Sequence, residues 1–302
     1  MPSLKEIKVR IGSVKSTLKI TSAMKLVASA KLKRAQTAIG NMVPYQEKLT
    51  GILIDLLGFS AEGEQESSLQ NDSIFTKERE VKRVALVCMS SNTSLCGGFN
   101  GNAVRKSKEV IESYLEQGFQ KEDLVIYAVG KKMAKSLANA GYSICTEFSD
   151  FTGNPEYEMA QKLAGQLVNG FESGRFDKVE LIYNHFASTG SQPTWHEVYL
   201  PLSMEGIAVK HQNASARRPD YYIFEPGREQ LIETLLPKVL DLKILTVFLD
   251  AAAAEHAART VAMQIATDNG NELLDDLTLQ YNKGRQQKIT NELLDIVGGT
   301  IN

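Results

Sequence analysis

The strongest constraint on the fold of this chain is a heptad repeat that occupies its first 42 residues. Ten of the twelve seam positions are apolar, and Thr21 and Lys25 are the two exceptions. A spacing of about 3.5 residues is typical of a helix that pairs lengthwise with a second helix. The seam positions are Leu4, Ile7, Ile11, Val14, Leu18, Thr21, Lys25, Ala28, Leu32, Ala35, Ile39 and Met42.

This predicted helix is longer than a compact domain of this size needs. Ser3 and Glu6 form a capping-box pattern at its start, and no proline interrupts the chain between Pro2 and Pro44. Gly40 and Pro44 are the candidate positions of a bend, but leucines continue the apolar stripe beyond them. About 55 residues at roughly 1.5 Å each give a helix of roughly 80 Å. Its partner must be equally long.

A second long helix is predicted from Pro226 to near Val297. The alanines at 251–254 and 257–258 favour it, and Pro226 and Pro237 either lie in its first turns or mark a break. Small seam residues let a partner helix approach closely, and these are Thr246, Ala253, Thr260, Thr267 and Gly270. Beyond Tyr281 the apolar stripe of this helix continues through Ile289, Leu293 and Ile296. The sequence predicts no firm pairing register for this last part.

The residues between the two helices change period. Apolar strand-like runs alternate with helical stretches, which is typical of a mainly parallel, Rossmann-like sheet. The last two strands flank a turn-rich segment and predict an antiparallel hairpin at one edge. The predicted strands are Val84–Met89, Leu124–Val129, Tyr142–Thr146, Val179–Phe186 and Trp195–Leu200, and the helices lie near Asn102–Gln117, Lys131–Ala140 and Glu156–Glu172.

Neither terminal helix has a partner of equal length except the other. The predicted fold is therefore an α/β domain with a mainly parallel sheet, plus a long antiparallel two-helix coiled coil formed by the N- and C-terminal helices. The predicted order is a helix at 1–60, a polar linker at 61–82, the α/β domain at 83–200, an irregular loop at 201–225 and a helix at 226–302.

Composition excludes several classes of protein. The net charge is −2, which excludes a uniformly basic chain, and no apolar run approaches the roughly 20 residues of a membrane helix. The N-terminal residues are rich in lysine and lack the apolar block of a secretion signal. The three cysteines form no even disulfide set and no CxxC pair, so we expect reduced thiols in a cytosolic compartment.

The most suggestive chemical motif is the run Ser90–Asn100, which follows a strand and precedes a helix. Phosphate groups bind at such positions in α/β folds. The run nevertheless matches neither the dinucleotide fingerprint nor the P-loop pattern, and the P-loop lysine is missing. A structural turn or a contact with a partner is the stronger interpretation, and a dinucleotide-dependent enzyme built on residues 83–200 is the alternative.

No catalytic or metal site is predicted elsewhere. Cys96 has no base or positive charge beside it in sequence to make it a nucleophile. His196 and Glu197 begin an HExxH pattern, but Leu200 stands at the second ligand position. We therefore expect no catalytic residue, no metal and no cofactor.

The two terminal segments carry opposite charge. Residues 1–36 contain nine lysines or arginines and one acid, whereas residues 241–302 contain nine acids and five bases. This bias favours pairing of the two helices, and also allows a coiled-coil adaptor that binds nucleic acid or an anionic membrane. The basic segment has no aromatic residues on which bases stack, so we expect no nucleic-acid partner.

Motifs at both ends and in the middle of the chain resemble the gamma subunits of rotary ATP synthase. The resemblance covers the whole chain and is strongest over residues 1–45 and 250–298. Its motifs are Ile20–Ala28, Ala30–Gln36, Leu95–Asn100, Glu255–Arg259, Val261–Met263, Ala266–Asn269, Tyr281–Lys283 with Arg285–Gln286, and Ile289–Glu292.

The sequence departs from the family in two places. Ser94 stands where the family usually has glycine before Leu-Cys-Gly-Gly, and Gly298-Gly299 replaces a Gly-Ala pair. Both departures concern local contacts. The paired-cysteine insert of chloroplast members is not seen, so thiol control by that route is not expected.

The resemblance implies a rotor without an active site. The two terminal helices would turn inside three alpha and three beta subunits, and one gamma subunit per complex would join the epsilon subunit and the c-subunit ring. It would couple ion flow to ATP synthesis or hydrolysis in the beta subunits. The complex would be peripheral, at the cytoplasmic face of the bacterial inner membrane. The alanines would present a smooth surface on which the shaft turns.

The resemblance also implies contact residues. The predicted contacts with beta subunits are Met24, Lys25, Arg259, Arg285, Gln286, Thr290 and Glu292. The predicted contacts with epsilon or the c ring are Asn41, Pro44, Pro201 and Glu205. Lys25 adds a physical argument of its own, because a lysine at a seam position is costly unless its charge reaches a partner.

Overall fold

The computed structural model of the chain describes residues 3–58, 75, 79–150, 155–202, 225 and 227–299. The helices in these residues are α1 Leu4–Gly58, α2 Phe99–Glu116, α3 Lys131–Asn139, α4 Tyr157–Glu172 and α5 Arg228–Gly299, with a short 3-10 helix at Lys121–Asp123. The strands are β1 Val84–Met89, β2 Leu124–Val129, β3 Ile144–Cys145, β4 Lys178–Asn184 and β5 Thr194–Leu200.

The two terminal helices are continuous and very long, with 55 residues in α1 and 72 in α5. The predicted capping box begins α1, since the Ser3 amide donates to Glu6 Oε2 at 3.0 Å and the Glu6 amide donates to Ser3 Oγ at 3.3 Å. Pro44 lies inside α1 and Pro237 inside α5, so neither proline ends its helix. Of the two alternatives left open for Pro237, the structure shows no break: the proline lies in the third turn of α5, and its neighbours Leu236 and Val239 are buried in the core.

The helices pair antiparallel along the predicted seam, and we call this pair the shaft. Leu4 packs beside Gly284, and Leu18 packs beside Gly270. A Cβ atom at Gly270 would lie 2.7 Å from Leu18 Cδ2, so only glycine permits this approach without a shift of the leucine. Thr267 Oγ1 donates to Thr21 Oγ1 at 2.9 Å, which satisfies one of the two polar seam positions of α1.

The α/β domain contains one five-stranded sheet in the order β3-β2-β1-β4-β5. Strand β1 pairs in parallel with β2 and β4, and β2 pairs in parallel with β3. Strand β5 pairs antiparallel with β4, which confirms the predicted hairpin at one edge. The predicted fold class is confirmed, although β3 is only two residues long where five were expected.

Each face of the sheet has its own helical layer. Helices α2 and α3 cover one face, where Leu86, Ile111 and Leu137 are fully buried. Helix α4 and the first half of α5 cover the other face, where Phe171 and Phe248 are fully buried. The shaft is therefore built into the hydrophobic core of the α/β domain, and one end of it emerges from that core.

Several sequence predictions fall outside the described residues. The predicted linker at 61–82 and loop at 201–225 are described only in small part, and Glu205 is not described at all. The predicted domain boundaries stay predictions. No helix within the described ranges combines the length and the apolarity that a membrane span requires.

Candidate functional site

The sheet has a switch point at the carboxyl ends of β1 and β4, where α/β folds commonly bind ligands. In this chain α5 occupies that position. Met89, Phe99 and Asn184 meet Ala251 and Glu255 of α5 around a cavity of about 10 Å³, which is room for about one water molecule. This cavity is too small for a nucleotide. The alternative interpretation as a dinucleotide-dependent enzyme therefore lacks a binding site at the switch point.

The loop that follows β1, residues 90–98, is folded against α5. Asn100 Oδ1 accepts hydrogen bonds from the Ser91 amide and the Ser91 hydroxyl, both at 3.0 Å. Gly97 has a φ of +59° and lies so near α5 that an added Cβ would be 3.9 Å from Ala262 Cβ. Cys96 is buried with Phe99, Ala254 and Ala258 as part of this packing. The glycine-containing loop therefore acts as a structural contact with the shaft.

Arg259 joins this loop to α5. Its guanidinium donates to Glu255 Oε1 at 2.6 Å and to Thr93 Oγ1 at 2.8 Å, and its side chain is only 12% exposed. The prediction for Arg259 was a contact with another subunit. The structure gives the side chain intramolecular partners, which the sequence did not suggest because Thr93 is 166 residues away.

A second polar contact holds α5 to the end of β4. Asp250 Oδ2 lies 2.7 Å from His185 Nδ1, and Asp250 Oδ1 accepts the Phe186 amide at 2.9 Å. The His185 ring stacks on Trp195 with a centroid distance of 3.8 Å. Two turns earlier on α5, Lys243 Nζ lies 2.8 Å from Glu197 Oε1 on β5. Sequence reasoning missed this set, because no local pattern connects His185 with Asp250.

The alanine-rich segment of α5 is enclosed by the chain itself. Residues 251–258 are all buried. Ala253 and Ala257 pack against Leu32 of α1, while Ala254 and Ala258 pack against Cys96. The prediction that the alanines present a smooth surface for rotation is therefore wrong. Their small side chains instead let α1, α5 and the α/β domain approach one another closely.

The far end of the shaft contrasts with this enclosed segment. We call residues 4–27 of α1 and 263–299 of α5 the upper shaft. Leu4 begins α1 and lies opposite Gly284, so residues 285–299 of α5 extend beyond α1 by about 20 Å. Three predicted seam residues lie on this extension and are exposed, namely Ile289, Leu293 and Ile296. Their neighbour Leu294 is exposed as well.

The upper shaft also leaves its charges without cross-helix ion pairs. Among the described residues, no salt bridge within 4.0 Å joins a base of α1 to an acid of α5. The expected charge pairing between the helices does not form as direct contacts, since the charged residues lie on outward faces while the seam is apolar. The basic residues of α1 from Lys5 to Arg34 are accordingly available to a partner.

The predicted contact residues occupy different environments. Arg285, Gln286, Thr290 and Glu292 are all exposed on the part of α5 that extends beyond α1. Asn41 and Pro44 are exposed on α1, whereas Pro201 is half-buried after β5. Met24 and Lys25 are half-buried at the edge of the seam. The structure therefore places these four residues together on the end of α5, residues 285–299, which we call the tip. It separates them from the other predicted contact residues.

A second polar cluster lies on the α2 side of the sheet. Glu180 is 2% exposed, and its carboxylate accepts hydrogen bonds from Tyr114 at 2.8 Å, from Lys178 at 2.7 Å and from His196 at 2.7 Å. Burial opposes ionisation, but these three donors outweigh it and lower the pKa of Glu180 to about 2. No group of metal-ligating side chains occurs in the described part of the chain. His196 therefore binds a carboxylate of its own chain.

Comparisons with known proteins agree with this architecture. A sequence model of the ATP synthase family matches residues 3–301. The ATP synthase gamma chain of Phocaeicola vulgatus is 50% identical over 301 residues, covering 100% of both chains. The chain belongs to the ATP synthase gamma-chain family. The gamma chain of Bacteroides thetaiotaomicron is 47% identical and that of Cytophaga hutchinsonii is 39% identical.

Solved structures share the fold of this gamma-family chain at low identity. A chain of the Euglena gracilis mitochondrial ATP synthase rotor is 19% identical, with a TM-score of 0.59 over 95% of this chain and 98% of that one. A chain of the Tetrahymena thermophila central stalk is 22% identical, with a TM-score of 0.56 over 82% and 99%. The resemblance predicted from the sequence motifs is confirmed. As a gamma chain, the protein is a subunit of ATP synthase.

Proposed function

We propose that this chain is the rotating central stalk of a bacterial ATP synthase and couples ion flow through a membrane ring to ATP synthesis or hydrolysis in beta subunits. It has no active site of its own in this proposal. The observation that carries it is the upper shaft, where a long helix pair has apolar and basic groups that the described part of the chain leaves exposed. Its structural neighbours, a chain of a mitochondrial ATP synthase rotor and a chain of a central stalk with c ring, share its fold, which supports the same function.

The mechanism requires contact and asymmetry rather than catalytic groups. A ligand or subunit shifts a conformational equilibrium only by the difference in its contact energy with the two states. The two helices present different chemistry, with basic residues along α1 and exposed acids and apolar residues along α5. Three beta subunits around the shaft therefore meet different faces, and rotation exchanges those faces among them.

The tip of α5 is proposed to contact the beta subunits through Arg285, Gln286, Thr290 and Glu292. These side chains are exposed, and they follow Gly284, which lies opposite Leu4, the first residue of α1. Arginine and glutamine are suited to this task because each donates several hydrogen bonds from a planar group. Their apolar neighbours Ile289 and Leu293 would pack against apolar side chains of the surrounding subunits.

Met24 and Lys25 are proposed to face an acidic loop of a beta subunit. Lys25 occupies a seam position yet has no ion pair among the described residues, and its charge gains most from a partner outside the chain. For Arg259 we propose an indirect role, in which it holds the loop at 90–98 against α5. Its hydrogen bonds to Thr93 and Glu255 support that role.

The opposite end of the molecule is proposed to bind the epsilon subunit and the c-subunit ring. Asn41 and Pro44 are exposed on α1 beside the α/β domain, Pro201 follows the edge strand β5, and Glu205 belongs to the same connection. We propose one gamma chain with three alpha and three beta subunits. The complex would lie at the cytoplasmic face of the inner membrane, without a metal or cofactor bound to this chain.

The test is reconstitution with alpha and beta subunits from the same source, followed by ATPase assay and co-elution. We expect ATPase activity only when all three chains are present. Arg285→Ala combined with Gln286→Ala should lower it at least tenfold, since losing one hydrogen bond to a charged group costs about 1.5–3 kcal/mol and about 1.4 kcal/mol corresponds to a factor of ten. Arg105→Ala with Lys106→Ala, on the exposed face of α2, is the control and should leave the activity unchanged. A chain that neither co-elutes nor raises ATPase activity contradicts the proposal.

A further inference from the structure

We propose that the β4–β5 hairpin fixes the rotational register of the α/β domain on the shaft, and that Lys243 and Asp250 of α5 are the positioning residues. This inference rests on the proposed rotor function. Torque enters such a rotor at the α/β domain and leaves it at the upper shaft. The two parts must therefore turn together, and the residues that prevent one from turning within the other determine how well motion is coupled to chemistry.

Asp250 is held by two donors from consecutive residues at the end of β4. Its Oδ2 lies 2.7 Å from His185 Nδ1 and its Oδ1 accepts the Phe186 amide at 2.9 Å, while its side chain is 14% exposed. One donor is a backbone amide, which has no rotamer freedom. The other is an imidazole held by stacking on Trp195. Two fixed donors on one carboxylate leave it a single orientation.

Lys243 makes the second contact with the same hairpin. Its Nζ lies 2.8 Å from Glu197 Oε1 and 3.0 Å from Oε2. Tyr183 donates its hydroxyl hydrogen to Glu197 Oε1 at 3.0 Å, and burial raises the pKa of that tyrosine well above its usual value. Glu197 is thus held from β4 while it binds the lysine of α5.

The spacing and the charges of these contacts specify one register. Lys243 and Asp250 are one heptad apart, so they lie on the same face of α5, about 10 Å apart along its axis. The helix presents a base and then an acid, and the hairpin presents Glu197 and then His185. A slip of two turns would place Asp250 beside Glu197, where like charges repel.

The apolar surface beside Asp250 cannot supply this specificity alone. On the C-terminal side of Asp250 the helix continues into the alanines at 251–254, whose small side chains pack closely but interlock less than larger ones would, whereas on the N-terminal side Phe248 packs in the core against the sheet. Apolar burial has no preferred direction. The hairpin itself is rigid at this point, since Asn184 donates to the Phe99 carbonyl at 3.0 Å and accepts from Thr194 Oγ1 at 2.6 Å. The directional contacts therefore set the rotational position together with the packing of Phe248 in the core.

The experiment compares two charge reversals with their combination in the complete ATP synthase, reconstituted in vesicles. Lys243→Glu places two carboxylates together, and Glu197→Lys places two ammonium groups together. We expect each to lower ATP-driven ion pumping per ATP hydrolysed about fivefold, a change typical of disrupted neighbouring charges. The double variant restores a Lys–Glu pair in reverse order and should recover at least half of the coupling.

Two further measurements separate this role from general destabilisation and from the rotor function itself. ATPase activity of each variant with alpha and beta subunits alone should stay at the wild-type level, because that assay needs the shaft but no torque from the α/β domain. Lys162→Met, which removes a 2.7 Å contact with Glu147 inside the α/β domain, is the control and should keep full coupling. Wild-type chain without any ATPase stimulation would contradict the rotor function rather than this inference.

The inference is overturned if the single reversals keep full coupling, or if the double variant is no better than the single variants. It is also overturned if pumping and ATPase activity fall in the same proportion. If a charge reversal prevents assembly, Asp250→Asn is the second variant. It keeps the size of the side chain and the acceptor for the Phe186 amide, so normal assembly with a coupling loss supports the inference, and normal coupling contradicts it.

Discussion

The same helix, α5, has opposite relations with its surroundings at its two ends. Residues 251–258 are buried on every side by α1, the loop at 90–98 and the β4–β5 hairpin. Forty residues later, Leu293, Leu294 and Ile296 are exposed although they are equally apolar. The first segment is buried by the described part of its own chain, whereas the second is left exposed by that part and offers an apolar surface to other molecules. The difference separates the self-sufficient part of the fold from the interaction surface.

Charged residues also differ between the two regions, in whether they have partners within the chain. Near the α/β domain Glu180, Asp250 and Arg259 each bind two or more groups of their own chain. In the upper shaft the single described ion pair, Lys288 with Glu292, is 3.7 Å long and joins neighbouring turns of one helix. Charges of the first kind contribute to folding, and charges of the second kind are available for binding.

The largest expected effect is a cavity in the enclosed part of α5. Phe248→Ala removes a fully buried ring from the core between the sheet and the shaft, and should lower the free energy of unfolding by about 4 kcal/mol. Leu294→Ala, at a residue that is 63% exposed, should change it by less than about 0.5 kcal/mol. Urea unfolding of the isolated chain measures both. Equal losses would remove the distinction between the two ends of α5.

The next effect concerns charge and depends on pH. Glu180→Gln leaves Lys178 and His196 without their carboxylate and should cost about 3 kcal/mol at neutral pH. The pKa of Glu180 is lowered from 4.5 to about 2, so its stabilisation is complete above about pH 5 and disappears as the pH falls towards 2. The deficit of the variant should therefore shrink in acid. Asp276→Asn, on the exposed upper shaft, should show no measurable difference at either pH.

The smallest effects test how tightly the upper shaft itself is packed. A Cβ at Gly270 would lie 2.7 Å from Leu18 in the middle of the seam, and Gly270→Ala should destabilise by about 1 kcal/mol. A Cβ at Gly284 would lie 3.1 Å from Leu4, the first residue of α1, which can move. Gly284→Ala should therefore stabilise by about 0.5 kcal/mol, because alanine is the better helix former. Thermal unfolding followed by circular dichroism distinguishes the two signs.

Local patterns in the sequence were sufficient for the architecture. The heptad from Leu4 to Met42 predicted the long helix, and the bounds of β1 and β2 agree with the predicted Val84–Met89 and Leu124–Val129. These elements were predictable because their residue patterns are local and do not depend on distant parts of the chain. The edge strand β3 was predicted too long, because an edge position at Tyr142–Thr146 offers pairing on one side only.

The contacts that join the parts of the molecule were not predictable in this way. His185 and Asp250 are 65 residues apart, and Thr93 and Arg259 are 166 apart, so no local pattern links them. The alanines were assigned to an outer surface because small residues suit both sliding and close packing. Only the position of the β1 loop and the hairpin decides between these uses. The contact residues of the tip, such as Arg285, were suggested by family resemblance alone.

The pairing of Leu18 with Gly270 has a consequence for how the chain is made. The partner of α1 is synthesised about 250 residues after it, and at roughly 5–20 residues per second this delay is on the order of tens of seconds. Throughout that time α1 is a basic, amphipathic segment whose apolar seam lacks its partner helix. The α/β domain, by contrast, contains all of its strands before α5 leaves the ribosome. The order of the elements therefore makes the pairing of the shaft one of the last steps of folding.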